Sequence, residues 1–225
     1  MLERMELLFG KKIEKIKQMT VMVVGLGGVG SYALEAITRS GVGKIIIVDN
    51  DVVDITNLNR QLIALNTNLN ELKVDVAEKR IKEINPNCKV VKITEFINQS
   101  NIDLLFNEKI DYVIDAIDTI ETKKLIIKEC LNSNIKFISS MGTANKIDPT
   151  RFEITDIRKT SYDPIAKILR KTVKELKTNK KVMVVYSKEQ PIITSKLGSV
   201  SYVPSVAGLL CASYVINDIV SDENE

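Results

Sequence analysis

The hexapeptide GLGGVG at residues 25–30 constrains this chain more than any other feature. It follows the apolar run VMVV and precedes SYALEAITRS, whose apolar residues recur at helical spacing. A strand, a G-x-G-x-x-G turn and a helix in that order form a phosphate-binding unit. Its glycines permit a tight turn, and the helix N-terminus offers unpaired N–H groups and a positive dipole end to an anion. Gly25, Gly27, Gly28 and Gly30 are therefore candidate nucleotide-binding residues; the competing reading is that they serve only close helix–strand packing. The next strand, KIIIVD, ends on Asp49, close to the position of a ribose-binding acid.

Strand and helix patterns continue to alternate. An amphipathic helix over 72–84 stops at Asn85-Pro86. KVVKIT, YVIDAID and KFISSM read as strands, with a short helix at NIDLLFNEK and a longer one at TIETKKLIIKECLNSN between them. This order predicts an α/β fold, a Rossmann-like doubly wound and mostly parallel sheet. Residues 151–157 and 181–187 read as further strands around a helix over 163–177, and 206–220 as a final helix. The expected division is an N-terminal helical segment (1–20), a nucleotide-binding domain (21–145) and a C-terminal α+β extension (146–225) packed on it. A helix over 5–19 is expected to use Leu7, Leu8, Ile13 and Ile16 as its apolar face.

Composition removes several chemistries. The chain has no histidine, which excludes Ser-His-Asp triads, HExxH zinc sites and two-His facial triads. Cys88, Cys130 and Cys211 lie far apart in apolar surroundings and form no CxxC pair, so they read as core. With no signal peptide, the expected location is the cytoplasm. The apolar stretch 203–220 contains Pro204, Asn217 and Asp218 and reads as a buried helix, without stable membrane association.

The stretch after the second strand, DNDVVDITNLNRQ, is denser in polar groups than a dinucleotide site requires. Asp49 and Asp51 are followed by Asp54, Asn57, Asn59, Arg60 and Gln61, and then by Lys73. Arginine and lysine bring positive charge to phosphate. The fourth strand runs on to Asp118 at the carboxyl edge of the sheet, where a carboxylate near a polyphosphate suits magnesium. A solvated turn remains the alternative for the polar stretch, and a helix N-cap the alternative for Asp118.

GLGGVG, D-x-D-x-V-x-x-x-N-L-N-R-Q, Lys73 and the aspartate after strand four together resemble the ubiquitin-activating-enzyme-like superfamily, which adenylates carboxylates with ATP and Mg2+. The resemblance implies that Asp49 holds the ribose and that Asn57, Arg60 and Lys73 contact the phosphates. Gln61 and Asp51 would line the same site, and Asp118 would bind magnesium. Arg4, in LERMELLFG, stands where the family supplies an arginine from the neighbouring subunit, which implies a homodimer. The implied catalytic set is Arg60, Lys73, Asp118 and Arg4.

Two branches of that superfamily compete. Activators of ubiquitin-like sulfur-carrier proteins typically carry paired CxxC motifs, absent here. RMELLFG, GVGSYALEAITRSGVGKI, IDPTRFEITDI, KTSYDPIAKILRK and GSVSYVPSVAGLLCASYVI instead resemble the tRNA threonylcarbamoyladenosine dehydratases. That resemblance implies a tRNA substrate, ATP and Mg2+, and a role for sulfur-mobilising partner proteins in some relatives. Some members have a cysteine near VMVVYS; this chain has Val184. Charge is an independent indication. Residues 158–181 carry nine Lys/Arg against Asp163 and Glu175 in a chain of net charge +3, a local basic surface of the kind an RNA backbone needs.

Overall fold

β1 (Thr20–Val24), β2 (Lys44–Val48) and β4 (Tyr112–Asp115) are short apolar runs buried almost throughout, as central strands covered on both faces must be. In the computed structural model, which describes residues 1–221, they lie inside a seven-stranded sheet of order β3-β2-β1-β4-β5-β7-β6. β3 (Lys89–Ile93) and β5 (Lys136–Ser140) flank them, and the five pair in parallel. β7 (Met183–Ser187) continues the parallel sheet beside β5, and β6 (Phe152–Asp156) closes the edge antiparallel to β7. The C-terminal segment thus extends the same sheet.

Alternate residues of each strand face opposite layers. Val21, Val23, Ile45 and Ile47 join one core with α3 (Gly30–Arg39), α4 (Lys73–Ile84) and α7 (Tyr202–Val220). Met22, Val24, Ile46 and Val48 join the other with α5 (Ile120–Asn132) and α6 (Pro164–Glu175). α7 is long and apolar enough to cross a membrane by length and composition, yet it is mostly buried against this core. A Cβ at Gly208 would overlap the Val29 carbonyl oxygen, so α7 and α3 pack backbone to backbone there. α7 also starts earlier than its sequence suggests, because Pro204 falls in the first turn, where its missing N–H costs nothing.

The N-terminal helix departs from expectation. Gly10 adopts a positive φ of 54° and ends α1 (Glu3–Phe9); a short 3-10 turn leads into α2 (Ile13–Gln18). Ile13 and Ile16 are buried as expected, but Leu7 and Leu8 are 86% and 79% exposed. The break gives α1 a different inner face: Met5 and Phe9 pack against the core, and Leu7 and Leu8 point outward. The short helix expected near 101–109 is a 3-10 helix, Ile102–Phe106.

Candidate functional site

The chain runs to one side of β1 through β2 and β3, then returns to place β4 and β5 on the other. The crevice at the carboxyl ends of β1 and β4 is where such sheets bind ligands. A cavity of about 1020 Å³ opens there.

The glycines divide the work. Gly25 has φ 89°, and a Cβ there would press on the Ala116 carbonyl; a Cβ on Gly30 would overlap the Gly25 carbonyl oxygen. These two let the loop pass between β4 and α3. At Gly27 an added Cβ would meet only Gln61 Nε2, at 4.0 Å. Gly27 therefore leaves open space at the N-terminus of α3, on the cavity wall. The packing reading of the motif therefore applies to Gly25 and Gly30 and not to Gly27.

Asp49 lies at the cavity edge of β2 and accepts the N–H of Leu26 at 2.7 Å and that of Asp51 at 2.9 Å. Burial pushes its carboxyl above the usual carboxylate range, opposed by Lys73 and by these two N–H donors. Lys73, at the start of α4, is 5% exposed. Its ammonium donates to Asp51 at 2.8 Å and lies 3.8 Å from Asp49. Asp51 thus holds Lys73 at the cavity wall.

The stretch 54–61 is ordered by its own side chains. Asp54 caps a 3-10 turn by accepting the Thr56 N–H, and Asn57 Oδ1 accepts the Asp54 N–H in return. The Ser31 hydroxyl accepts the Leu62 N–H at 3.1 Å, tying the stretch to α3. Arg60 donates one guanidinium nitrogen to the Thr56 carbonyl and the Asn59 side chain. Asn57, Arg60 and Gln61 all line the cavity. Gln61 Oε1 is buried and, among the described residues, has no hydrogen-bond partner. An acceptor left so inside a cavity wall calls for a donor from a ligand or its water.

Asp118 also lines the cavity and is exposed to it. It makes no hydrogen bond or ion pair with any described residue, and the N-cap position of α5 belongs to Thr119. The capping alternative is thereby removed. Arg4 is placed elsewhere: α1 sits near Gly41 and Gly43, at the amino end of β2, opposite the cavity. Arg4 cannot reach the site of its own chain.

Three features escaped the sequence. Phe96 and Ile97, after β3, add an apolar wall to the cavity; the signal was only two apolar residues beyond a strand. Beneath the floor, Lys123 and Asp115 form an ion pair at 3.0 Å, both wholly buried, with the Ser139 hydroxyl donating to Asp115 at 2.6 Å. At the far rim, Lys146 donates to the Gly142 carbonyl and to Asp163, both charged groups being 2% exposed.

Fold and cavity together define a class, the Rossmann-like α/β proteins with a phosphate loop at the head of the sheet. Within it, this chain belongs to the ThiF family, whose model matches residues 3–225. It is similar to a tRNA threonylcarbamoyladenosine dehydratase of Bacillus subtilis (strain 168), 46% identical over 239 residues, 97% of this chain and 94% of the relative. Among solved structures it resembles the Escherichia coli tRNA N6-threonylcarbamoyladenosine dehydratase TcdA in complex with ATP, with a TM-score of 0.90 and 33% identity, covering 97% of this chain and 93% of that one. A probable molybdopterin-synthase adenylyltransferase of Porphyra purpurea is 38% identical, but over 54% of this chain and 31% of the relative.

Proposed function

We propose that this protein uses ATP to adenylate the carboxylate of threonylcarbamoyladenosine in tRNA, and then closes the activated group on its own nitrogen, with net loss of water. The observation that carries this reading is the uncommitted carboxylate of Asp118 facing the same cavity as Arg60, Lys73 and the open loop at Gly27. That arrangement fits a polyphosphate under attack. The near full-length match to the Bacillus subtilis enzyme supplies the substrate.

A carboxylate oxygen attacks the α-phosphorus, the bond to the β-phosphate oxygen breaks and pyrophosphate leaves. Nitrogen then attacks the acyl carbon, AMP leaves, and the nitrogen gives up its proton. In this reading the N–H groups at the start of α3 hold phosphate oxygens, and Lys73 and Arg60 neutralise the charge that grows on them. Asn57, its oxygen committed to the Asp54 N–H, keeps its amide N–H groups for the same oxygens. Asp49 takes the ribose hydroxyls, and Gln61 Oε1 accepts from a hydroxyl or a bound water.

The donors present fit magnesium. Among the described residues no cluster of three or more His, Cys, Asp or Glu could hold a metal. Magnesium in nucleotide sites is held by one or two carboxylates with phosphate oxygens and water, and Asp118 supplies such a carboxylate. When bound, the ion would screen the phosphates from the incoming carboxylate.

Arg4 fits the reading only as a contribution from a second subunit, and the exposed Leu7 and Leu8 on the same helix are apolar surface for that contact. The exposed lysines of 158–181 suit a tRNA backbone. The rival, activation of a sulfur-carrier protein, has less support: its match spans about half the chain, and no CxxC pair is present. Exchange of labelled pyrophosphate into ATP tests the adenylation step. Exchange that requires tRNA bearing threonylcarbamoyladenosine supports the proposal; exchange that requires a small protein ending in Gly-Gly would replace it with the rival.

A further inference from the structure

Tyr162 is a large aromatic side chain, 64% exposed, on a backbone with φ of 57°. Non-glycine residues seldom adopt that region, and bulky ones least. The Asp163 N–H donates to the Ser161 carbonyl at 2.7 Å, which closes a three-residue γ-turn with Tyr162 at its apex. With positive φ at the apex this is the rare, strained form of the turn. Such strain persists only where the surroundings over-determine it.

Here they do. Asp163 is the N-cap of α6 and accepts the Ala166 N–H at 2.9 Å through one oxygen. Its other oxygen takes the ammonium of Lys146 at 3.2 Å, and that ammonium donates to the Gly142 carbonyl at 2.6 Å. Gly142 and Ile165 are cavity-lining residues. A buried ion pair therefore fixes the strained tyrosine at the rim of the cavity, on the side away from Asp49 and Lys73. Beyond it α6 exposes Lys167, Lys171 and Lys174 along one face. Lys167 and Lys174 have no ion-pair partner among the described residues, and Lys171 reaches Glu175 only at 4.0 Å.

An exposed ring on a fixed backbone beside a cavity, with a row of exposed ammonium groups behind it, matches the chemistry of an unstacked RNA loop. Such loops are bound by stacking bases on aromatic side chains and by tracking the phosphates with positive charge. We propose that Tyr162 is a stacking platform for a base in the tRNA loop that delivers its modified nucleoside to the cavity, and that the α6 lysines follow the adjoining backbone. The proposal rests on the tRNA reading above and adds to it the residue that grips the loop.

The test uses the full-length protein and an anticodon stem–loop RNA bearing threonylcarbamoyladenosine. Tyr162→Gly removes the ring and also relieves the turn, because glycine accepts positive φ freely, so thermal stability should be kept or raised. Its dissociation constant for the RNA should rise about 5- to 150-fold, the range that loss of one base–aromatic stack produces. KM for the RNA should rise with it, ATP affinity should stay unchanged, and Tyr162→Phe should behave as wild type. A Tyr162→Gly protein that binds the RNA within twofold of wild type overturns the proposal and leaves the tRNA reading standing. A wild-type protein that neither binds nor converts the RNA overturns both.

Discussion

Replacing Gly27 with alanine should separate binding from folding. In the unliganded protein the new methyl meets only Gln61 Nε2, at 4.0 Å, and the backbone there is not left-handed. The folded state therefore accepts it without strain, while the unfolded chain loses conformational freedom. Such Gly→Ala changes stabilise by about 0.4–1 kcal/mol. For a chain of this size that is a rise in Tm of about 1–4 °C. The same methyl enters the space in which a phosphate must approach the N–H groups of α3. Losing one charge-assisted hydrogen bond costs about 1.5–3 kcal/mol, so ATP affinity should fall at least tenfold. Gly30→Ala is the control. Its methyl would overlap the Gly25 carbonyl and stand 3.3 Å from the Ala116 Cβ. That change should cost about 3 kcal/mol or more, the upper end of overpacking. Calorimetric unfolding without ligand and ATP titration of each variant give both quantities. A Gly27→Ala protein that melts several degrees lower, or that binds ATP within twofold of wild type, would refute the division of roles among the glycines.

Lys123→Met should leave the wholly buried Asp115 without its ion-pair partner beneath the cavity, and breaking such a pair costs about 3–5 kcal/mol, read as a lower urea midpoint. Burial pushes the thiol of Cys88 up to about 11 and that of Cys211 to about 12, and raises Cys130 as well. Iodoacetamide at pH 8 should therefore label none of them in the native protein and all of them after denaturation; fast native labelling of any one would contradict the packing described. Mixing Arg4→Ala with Lys73→Ala subunits should restore about a quarter of wild-type activity, the share of sites in a random two-fold mixture that hold both residues; no recovery removes the contribution in trans.

The reach of the sequence follows from how local each signal is. β1, β2, β4 and β5 were legible because each carries a short apolar run that folds into the interior, β3 as a partly buried apolar run between turn residues, and the glycine loop because its glycines fall within six residues. Asp49 and Asp118 were legible as candidates because the sheet gathers strand ends at one edge, whatever the details of packing, and Lys73 because its charge follows the polar stretch at the head of a helix. Lys123 was not: it sits beside Lys124 on a helix and reads as a solvated pair, and only the packing of α5 turns it inward to Asp115. Lys146 and Asp163 are similar, since one lies in a loop, the other caps a helix, and their meeting is a tertiary event. The apolar face drawn through Leu7, Leu8, Ile13 and Ile16 held at Ile13 and Ile16 and failed at Leu7 and Leu8, because periodicity was carried across Gly10, which turns the chain. Phe96 carried no pattern, only exposure that the fold directs into the cavity.

The central claim is the conversion itself. tRNA bearing threonylcarbamoyladenosine, incubated with the protein, ATP and magnesium, then digested mildly and resolved by nucleoside mass spectrometry, tests it directly. The account predicts an ATP-dependent loss of one water from that nucleoside, absent with Asp118→Ala. An unchanged nucleoside under conditions where the protein binds ATP and the tRNA would contradict it.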